Sequence, residues 1–406
     1  MTEIEKRALL PRLRFSKFRD AKPWSFQPLG TLASRSTRKN ADGKITRVLT
    51  NSAEYGVVDQ REFFNKDIAN QGNLEGHYLV EEGSYVYNPR ISATAPVGPI
   101  SKNRSGLGVM SPLYTVFKFK NGNDDFYAYY FKSAHWHRYM RQASSTGARH
   151  DRMSITRSDF LALPVPVSTP EEQEKIADCL SSLDDLIAAE IQKLDALKTH
   201  KKGLMKQLFP REGETAPRLR FPEFSEVGDW ETTQLGVVCN MQSGKFVSAS
   251  EIAESREEGF FPCYGGNGLR GYTQTFNQSG RHSLIGRQGA LCGNVNFVKG
   301  DFYATEHAIV TTPKSGIRTG WLFYNLCFLD LNRFSTGQAQ PGLSVEVLEK
   351  VGCTLPKDEK EQEKIADCLS SLDELIAAET HKLDTLKLQK KGLINQLFPM
   401  LAELPT

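Results

Sequence analysis

Two stretches of the chain carry apolar residues at helical spacing. In the first, Ile176, Leu180, Leu183, Ile187, Leu194, Leu197, Leu204 and Leu208 fall on intervals of three and four, with Glu190 and Lys201 standing where two more apolar residues belong. Such a heptad seam predicts one long helix with a partner. Ser168, Thr169 and Pro170, followed by acidic residues, supply the start signal, and Pro210 the stop. From Ile176 to Leu208 the helix spans about 50 Å at ~1.5 Å per residue. Gly203 weakens its last turns.

The rest of the chain alternates shorter patterns. Segments 77–91 and 281–298 read as strands separated by Gly turns. Segments 125–141 and 320–334 read as aromatic-rich helices. These segments predict an α/β or α+β architecture.

The second heptad stretch is a copy of the first. Residues 171–210 and 360–399 are identical at 31 of 40 positions at an offset of 189, and the seam is broken at the same places, by Glu379 and Lys390. A shorter repeat relates 11–30 to 217–236 at an offset of 206, placing Trp24 on Trp230 and Gly30 on Gly236. A weak third echo relates Ser145-Thr146-Gly147 to Ser335-Thr336-Gly337, read either as a phosphate-binding turn or as a helix stop with a Gly cap. The plan is a tandem duplication with internal repeats. It divides into a first globular domain (1–168), a central helix (169–211), a second globular domain (212–356) and a C-terminal helix (357–406). A duplicated unit most simply pairs its helices antiparallel about a pseudo-twofold axis. If paired residue numbers sum to 580, Glu190 faces Lys390 and Lys201 faces Glu379, and the apolar positions of the central seam face each other.

Composition narrows the function. The chain has 406 residues, 39% hydrophobic and 24% charged, enough for two cores. No apolar run reaches the ~18 residues of a membrane span, and the opening MTEIEKRALLPRLRF lacks a signal-peptide core, so a cytoplasmic location is expected. Seven isolated Cys form no Cys-x-x-Cys, and the eight His form no metal spacing. His135-Trp136-His137 reads as decoration of an aromatic helix. Segment 31–160 holds 18 Lys and Arg against 12 Asp and Glu, whereas 237–355 holds 10 against 9 and both helical repeats are net acidic. The positive charge lies in the domains, as a DNA-facing surface requires. Catalytic signatures are missing. Asn88-Pro89-Arg90 is the nearest approach to the Asn-Pro-Pro-aromatic loop of amino-methyltransferases, and Gly244-Lys245 lacks the upstream Gly of a phosphate-binding loop. Asp-x-Lys at Asp20, Asp42 and Asp358 is weak and reads as loop charge. The chain is not expected to be an enzyme by itself, nor to bind a metal or cofactor.

The duplicated opening Glu172-Gln173-Glu174-Lys175-Ile176-Ala177 and Glu361-Gln362-Glu363-Lys364-Ile365-Ala366, each preceded by a Pro (Pro166, Pro356) and a divergent domain, resembles the specificity subunit of type I restriction–modification enzymes. Tyr264-Gly265-Gly266-Asn267-Gly268, Ile285-Gly286-Arg287-Gln288-Gly289 and Ser111-Pro112-Leu113-Tyr114 look like parts of its target-recognition domains. The resemblance implies two target-recognition domains separated by two long antiparallel helices, each domain reading one half of a split double-stranded DNA site. It implies that the helices dock two modification subunits and set the gap, with two restriction subunits added where the system has them. S-adenosylmethionine, ATP and magnesium then belong to those partners. The competing readings are a self-contained DNA methylase or nuclease, and a coiled-coil scaffold that binds no DNA.

Arg and Lys read guanine, and Asn and Gln read adenine, through paired hydrogen bonds. Candidates in Gly-, Pro- or Ser-rich loops are Arg90, Lys102, Asn103 and Arg104 in the first domain, and Lys245, Asn267, Arg270, Arg287 and Gln288 in the second. For any one of them a phosphate contact or a solvated charge is the competing role.

Overall fold

The computed structural model describes residues 10–64, 74–121, 124–146, 151–289, 291–337 and 341–400; the first nine residues of the opening segment and Gly147 lie outside them. The chain folds as two units, Met1–Ala189 with Lys382–Thr406, and Glu190–His381.

In the first unit an antiparallel sheet runs in the order Ala33–Arg35, Thr115–Phe119, Tyr85–Tyr87, Ile100–Lys102. Further antiparallel pairs are Leu49–Ser52 with Gly56–Asp59 and Tyr78–Val80 with Gly108–Met110. Gly83, at φ 79°, turns the chain between Tyr78–Val80 and Tyr85–Tyr87, as the sequence of 77–91 predicts. The aromatic segment 125–141 is not one helix but two, Asp125–Tyr130 and His137–Ala143. The break has a local cause. The Phe131 carbonyl accepts the Trp136 indole N–H at 3.2 Å, and His135 N donates to Ser133 Oγ, so side chains replace the helical ladder. Trp136 is fully buried as a result.

In the second unit the sheet has six strands in the order Cys239–Ser243, Ala308–Pro313, Gln278–Gly286, Val295–Ala304, Phe261–Gly265, Gly268–Thr273. All neighbours are antiparallel except Phe261–Gly265 with Val295–Ala304, which is parallel. The aromatic segment 320–334 forms the helix Thr319–Phe328 and a short 3-10 turn, Leu331–Phe334. Asp330, at φ 49°, changes direction between them.

The same frame closes both variable domains. Ser25–Pro28 pairs antiparallel with Pro164–Val167, and Glu231–Gln234 with Gly352–Leu355. The chain therefore enters and leaves each domain side by side, and a long helix follows at once: Pro170–Leu208 and Glu359–Leu397. Both helices continue through their glycines, Gly203 and Gly392. Within the second unit they run antiparallel, because Lys193 meets Glu379 while Lys201 meets Asp373.

That pairing corrects the register read from the sequence. Lys201 meets Asp373 in place of Glu379, Glu379 meets Lys193, and Lys390 meets Asp184. Seam arithmetic counts only helix-to-helix partners, whereas each domain supplies a third group. The Tyr129 hydroxyl donates to Asp184 Oδ2 at 2.9 Å, and the Tyr324 hydroxyl to Asp373 Oδ2 at 2.7 Å. The lysine then sits over the same ring, Lys390 at 5.4 Å from the Tyr129 centroid and Lys201 at 5.2 Å from that of Tyr324. A carboxylate plus an aromatic face is a better seat for an ammonium than a glutamate alone. Asp184 shows the balance: burial works against its charge, but the lysine contacts outweigh it and hold its pKa below the ordinary carboxylate value.

Helix ends complete the cores. In the first unit Ile176, Leu180, Ile394, Leu397 and Phe398 pack with Trp24, Phe126 and Tyr130. In the second, Leu208, Phe209, Ile365 and Leu369 pack with Trp230, Trp321 and Tyr324. Each fully buried ring or leucine stabilises its unit by roughly 1.5–3 kcal/mol, so neither domain is complete without the helices.

Candidate nucleic-acid interface

A buried charge has to be paired, and the two most buried carboxylates of the described residues open the two helical repeats. Glu172 accepts from Arg14 Nε at 2.7 Å and Nη2 at 2.8 Å, and from the Trp24 indole at 3.0 Å. Glu361 accepts from Arg220 Nε and Nη2, both at 2.8 Å, and from the Trp230 indole at 3.1 Å. The short repeat thus locks onto the long one, and the exit strand of each domain is held against its entry strand. Gln362 extends the lock: its Oε1 accepts from Arg318 N, and its Nε2 donates to the carbonyls of Gly316 and Pro356.

With the frame fixed, the second unit gathers its five candidate readers around the turn Thr305–His307. Lys245 N donates to the Ala304 carbonyl, Thr305 N to that of Tyr264, and Arg287 N to that of His307, each at 2.9 Å. Glycines permit the approach. A Cβ on Gly244 would lie 2.3 Å from the carbonyl oxygens of Ala304 and Thr305, and one on Gly266 would lie 2.9 Å from that of His307 and 3.5 Å from that of Gln288. Lys245, Asn267, Arg270 and Gln288 are exposed on this rim, and Arg287 is half-buried, reaching Ser243 Oγ at 3.3 Å. Gly268, at φ 95°, turns the chain beneath Asn267. Such a rim offers several polar side chains from rigid backbone, as base reading in a groove demands.

The first unit distributes its candidates differently. Lys102 is held by Asp124 at 2.5 Å and Asp125 at 2.7 Å. Burial opposes its charge, but the carboxylates outweigh burial and raise its pKa above the ordinary lysine value. Arg104 shares Asp125 at 2.8 Å and remains exposed. Asn103 is wholly buried, its amide donating to the carbonyls of Val80, Glu81 and Gly106. It shapes the loop and has no edge left for a base. Arg90 is exposed on another segment, bridged to Arg152 with Asp151 3.9 Å away. In the paired sequence echo Ser145–Thr146 pairs with Met153–Ser154, Thr336 bridges Gly342, and Gly337 takes φ 97°.

Sequence reasoning missed the locks and the tyrosine seats. Their signal was present, since Arg14 and Arg220, Trp24 and Trp230, Glu172 and Glu361, and Asp184 and Asp373 are all matched positions of the repeats. Nucleophilic chemistry finds little here. Burial pushes the Cys263 and Cys353 thiols up to about 11 and those of Cys239 and Cys327 to about 12, which keeps them unreactive. Among the described residues no cluster of His, Cys, Asp and Glu is arranged to hold a metal.

The family model described as type I restriction modification DNA specificity domain matches residues 37–199 and again 228–388. The chain is 44% identical over 158 residues to the type I restriction enzyme EcoprrI specificity subunit of Escherichia coli, a match that spans 39% of each chain. It is 26% identical over 318 residues to the type I restriction enzyme MjaVIII specificity subunit of Methanocaldococcus jannaschii, covering 71% of this chain and 73% of that one. Its fold is similar to the crystal structure of the type I restriction–modification system S subunit from M. genitalium, with a TM-score of 0.60 at 17% identity, over 97% of this chain and 100% of the other. With two matches that together cover most of its length, the chain belongs to the type I restriction modification DNA specificity domain family.

Proposed function

We propose that this chain is the DNA-specificity subunit of a type I restriction–modification complex, a recognition subunit without catalysis of its own. The observation that carries the reading is the double match to the specificity domain, 37–199 and 228–388, on a chain that folds as two units each with its own core. Each globular domain, 1–168 and 212–356, reads one half of a bipartite site in double-stranded DNA. The helical regions, 169–211 and 357–406, dock two modification subunits and set the gap between half-sites. Those subunits carry S-adenosylmethionine and methylate adenine; restriction subunits, where present, bring ATP and magnesium chemistry. This chain binds none of these cofactors and works in the cytoplasm. No helix of the described residues is long and apolar enough to cross a membrane.

The rim around Thr305–His307 is the reading edge of the second domain, with Arg287 and Gln288 at bases and Lys245 at phosphate. In the first domain Arg90 and Arg104, each paired to an aspartate but still exposed, are the cations left to meet DNA, and Lys102 is the more structural. The test is to map methylated adenines in DNA from cells expressing the chain with its modification subunits. A motif of two short half-sites around an unread gap supports the reading. A continuous motif, or methylation by the chain alone, contradicts it.

A further inference from the structure

Phe246 is the most exposed large hydrophobic side chain of the described residues, at 76%. Single exposed apolar residues are ordinary on protein surfaces, but this one is held in place from both sides. Before it, Lys245 N donates to the Ala304 carbonyl at 2.9 Å, and Gly244 packs too closely on Ala304 and Thr305 to carry a side chain. Its own carbonyl accepts the Tyr303 hydroxyl at 3.0 Å. After it, Val247 is buried, and Ser248 with Glu251 forms a reciprocal capping box. The backbone is therefore rigid and the ring stands in water on the rim that also carries Lys245 and Arg287. A ring in that position buries apolar area only when something lands on the rim.

We propose that Phe246 is a base-contacting residue of the second domain, and that it reads the 5-methyl group of a thymine in the half-site bound there. The inference rests on the reading of this domain as a DNA reader. The chemistry selects the group: a phenyl ring has no hydrogen bond to offer, and the thymine methyl is the apolar feature that the major groove presents. Lys245, the adjacent residue, is placed to hold a phosphate and bring the groove to the ring.

The experiment measures equilibrium binding of the full chain, in complex with its modification subunits, to duplexes carrying the mapped site at fixed salt. Each thymine of the second half-site is replaced in turn by deoxyuridine, which removes only the methyl. One replacement weakens binding by the wild type roughly tenfold, the scale of one lost methyl contact. Phe246→Ala binds the unmodified site about as weakly as that, and shows no further loss with deoxyuridine at that position. Phe246→Leu keeps part of the methyl dependence, and both variants unfold at the wild-type temperature because the side chain is exposed. Three results overturn the proposal: a half-site with no thymine, a wild type indifferent to every deoxyuridine, or an undiminished deoxyuridine penalty in Phe246→Ala. Loss of affinity in Phe246→Ala with a wild type indifferent to deoxyuridine assigns the ring to stacking between bases instead. If the wild-type complex fails to distinguish its site from unrelated DNA, the DNA-reading function itself has failed, whatever Phe246 does.

Discussion

Arg220 grips Glu361 with two parallel hydrogen bonds of 2.8 Å, across 141 residues of chain, and Arg14 grips Glu172 in the same way. In each case a tryptophan indole donates a third bond to the carboxylate. The side chains of Glu361 and Glu172 are 1% exposed. Removing one partner of such a pair leaves a charge buried without compensation. Arg220→Met is expected to destabilise the second unit by about 3–5 kcal/mol, read by chemical denaturation. Arg220→Lys, which loses the planar fork, is expected to recover only part of that. The first unit's transition is expected to stay in place, which a probe on that unit checks.

The helix register is tested by charge exchange. Lys201 and Asp373 are part-exposed, so solvent screens their pair, and Lys201→Asp is expected to cost the second unit about 1 kcal/mol. Adding Asp373→Lys restores most of the loss; adding Glu379→Lys does not. Rescue by the Glu379 change would return the register to the sequence-derived one.

A pH response is expected from His137. Burial, followed by the positive charges of Arg141 and His135, lowers its pKa from 6.5 to about 4. Between those values the unfolded chain binds a proton that the fold refuses. Stability is fully present above about pH 6.5 and falls as pH drops toward 4. The first unit is expected to lose about 1–2 kcal/mol between pH 7 and 5, and His137→Gln to flatten that slope. An equal slope in the variant would assign the response elsewhere.

The two kinds of contact on the second unit's rim separate by specificity. Arg287→Ala is expected to relax discrimination at one base position by about 1–3 kcal/mol. Lys245→Ala is expected to weaken binding to all sequences alike and to lower the salt slope by about one counterion. Competition binding with single-base variants, at two salt concentrations, distinguishes them.

Much of this organisation was legible in the sequence because duplication wrote it twice. The 31 shared positions of the helical repeats locate both long helices and the polar breaks in their seams. What they could not supply was the third partner. Tyr129 and Tyr324 lie in divergent segments, yet they decide where Lys390 and Lys201 settle. Residue type alone also could not separate Asn103, spent on three carbonyls inside a loop, from Gln288, exposed on a rim. Nor could it show that Trp136 would take the Phe131 carbonyl and split an aromatic helix.

Two domains that read separate half-sites can be exchanged one at a time. The most direct measurement replaces residues 31–160 with the corresponding segment of another family member and maps methylated adenines in the host DNA. The entry strand Ser25–Pro28, the exit strand Pro164–Val167 and the Arg14–Glu172 lock all lie outside the exchanged segment. The expected motif has one new half-site and one unchanged. A motif altered in both halves, or unaltered in either, would contradict separate reading by the two domains.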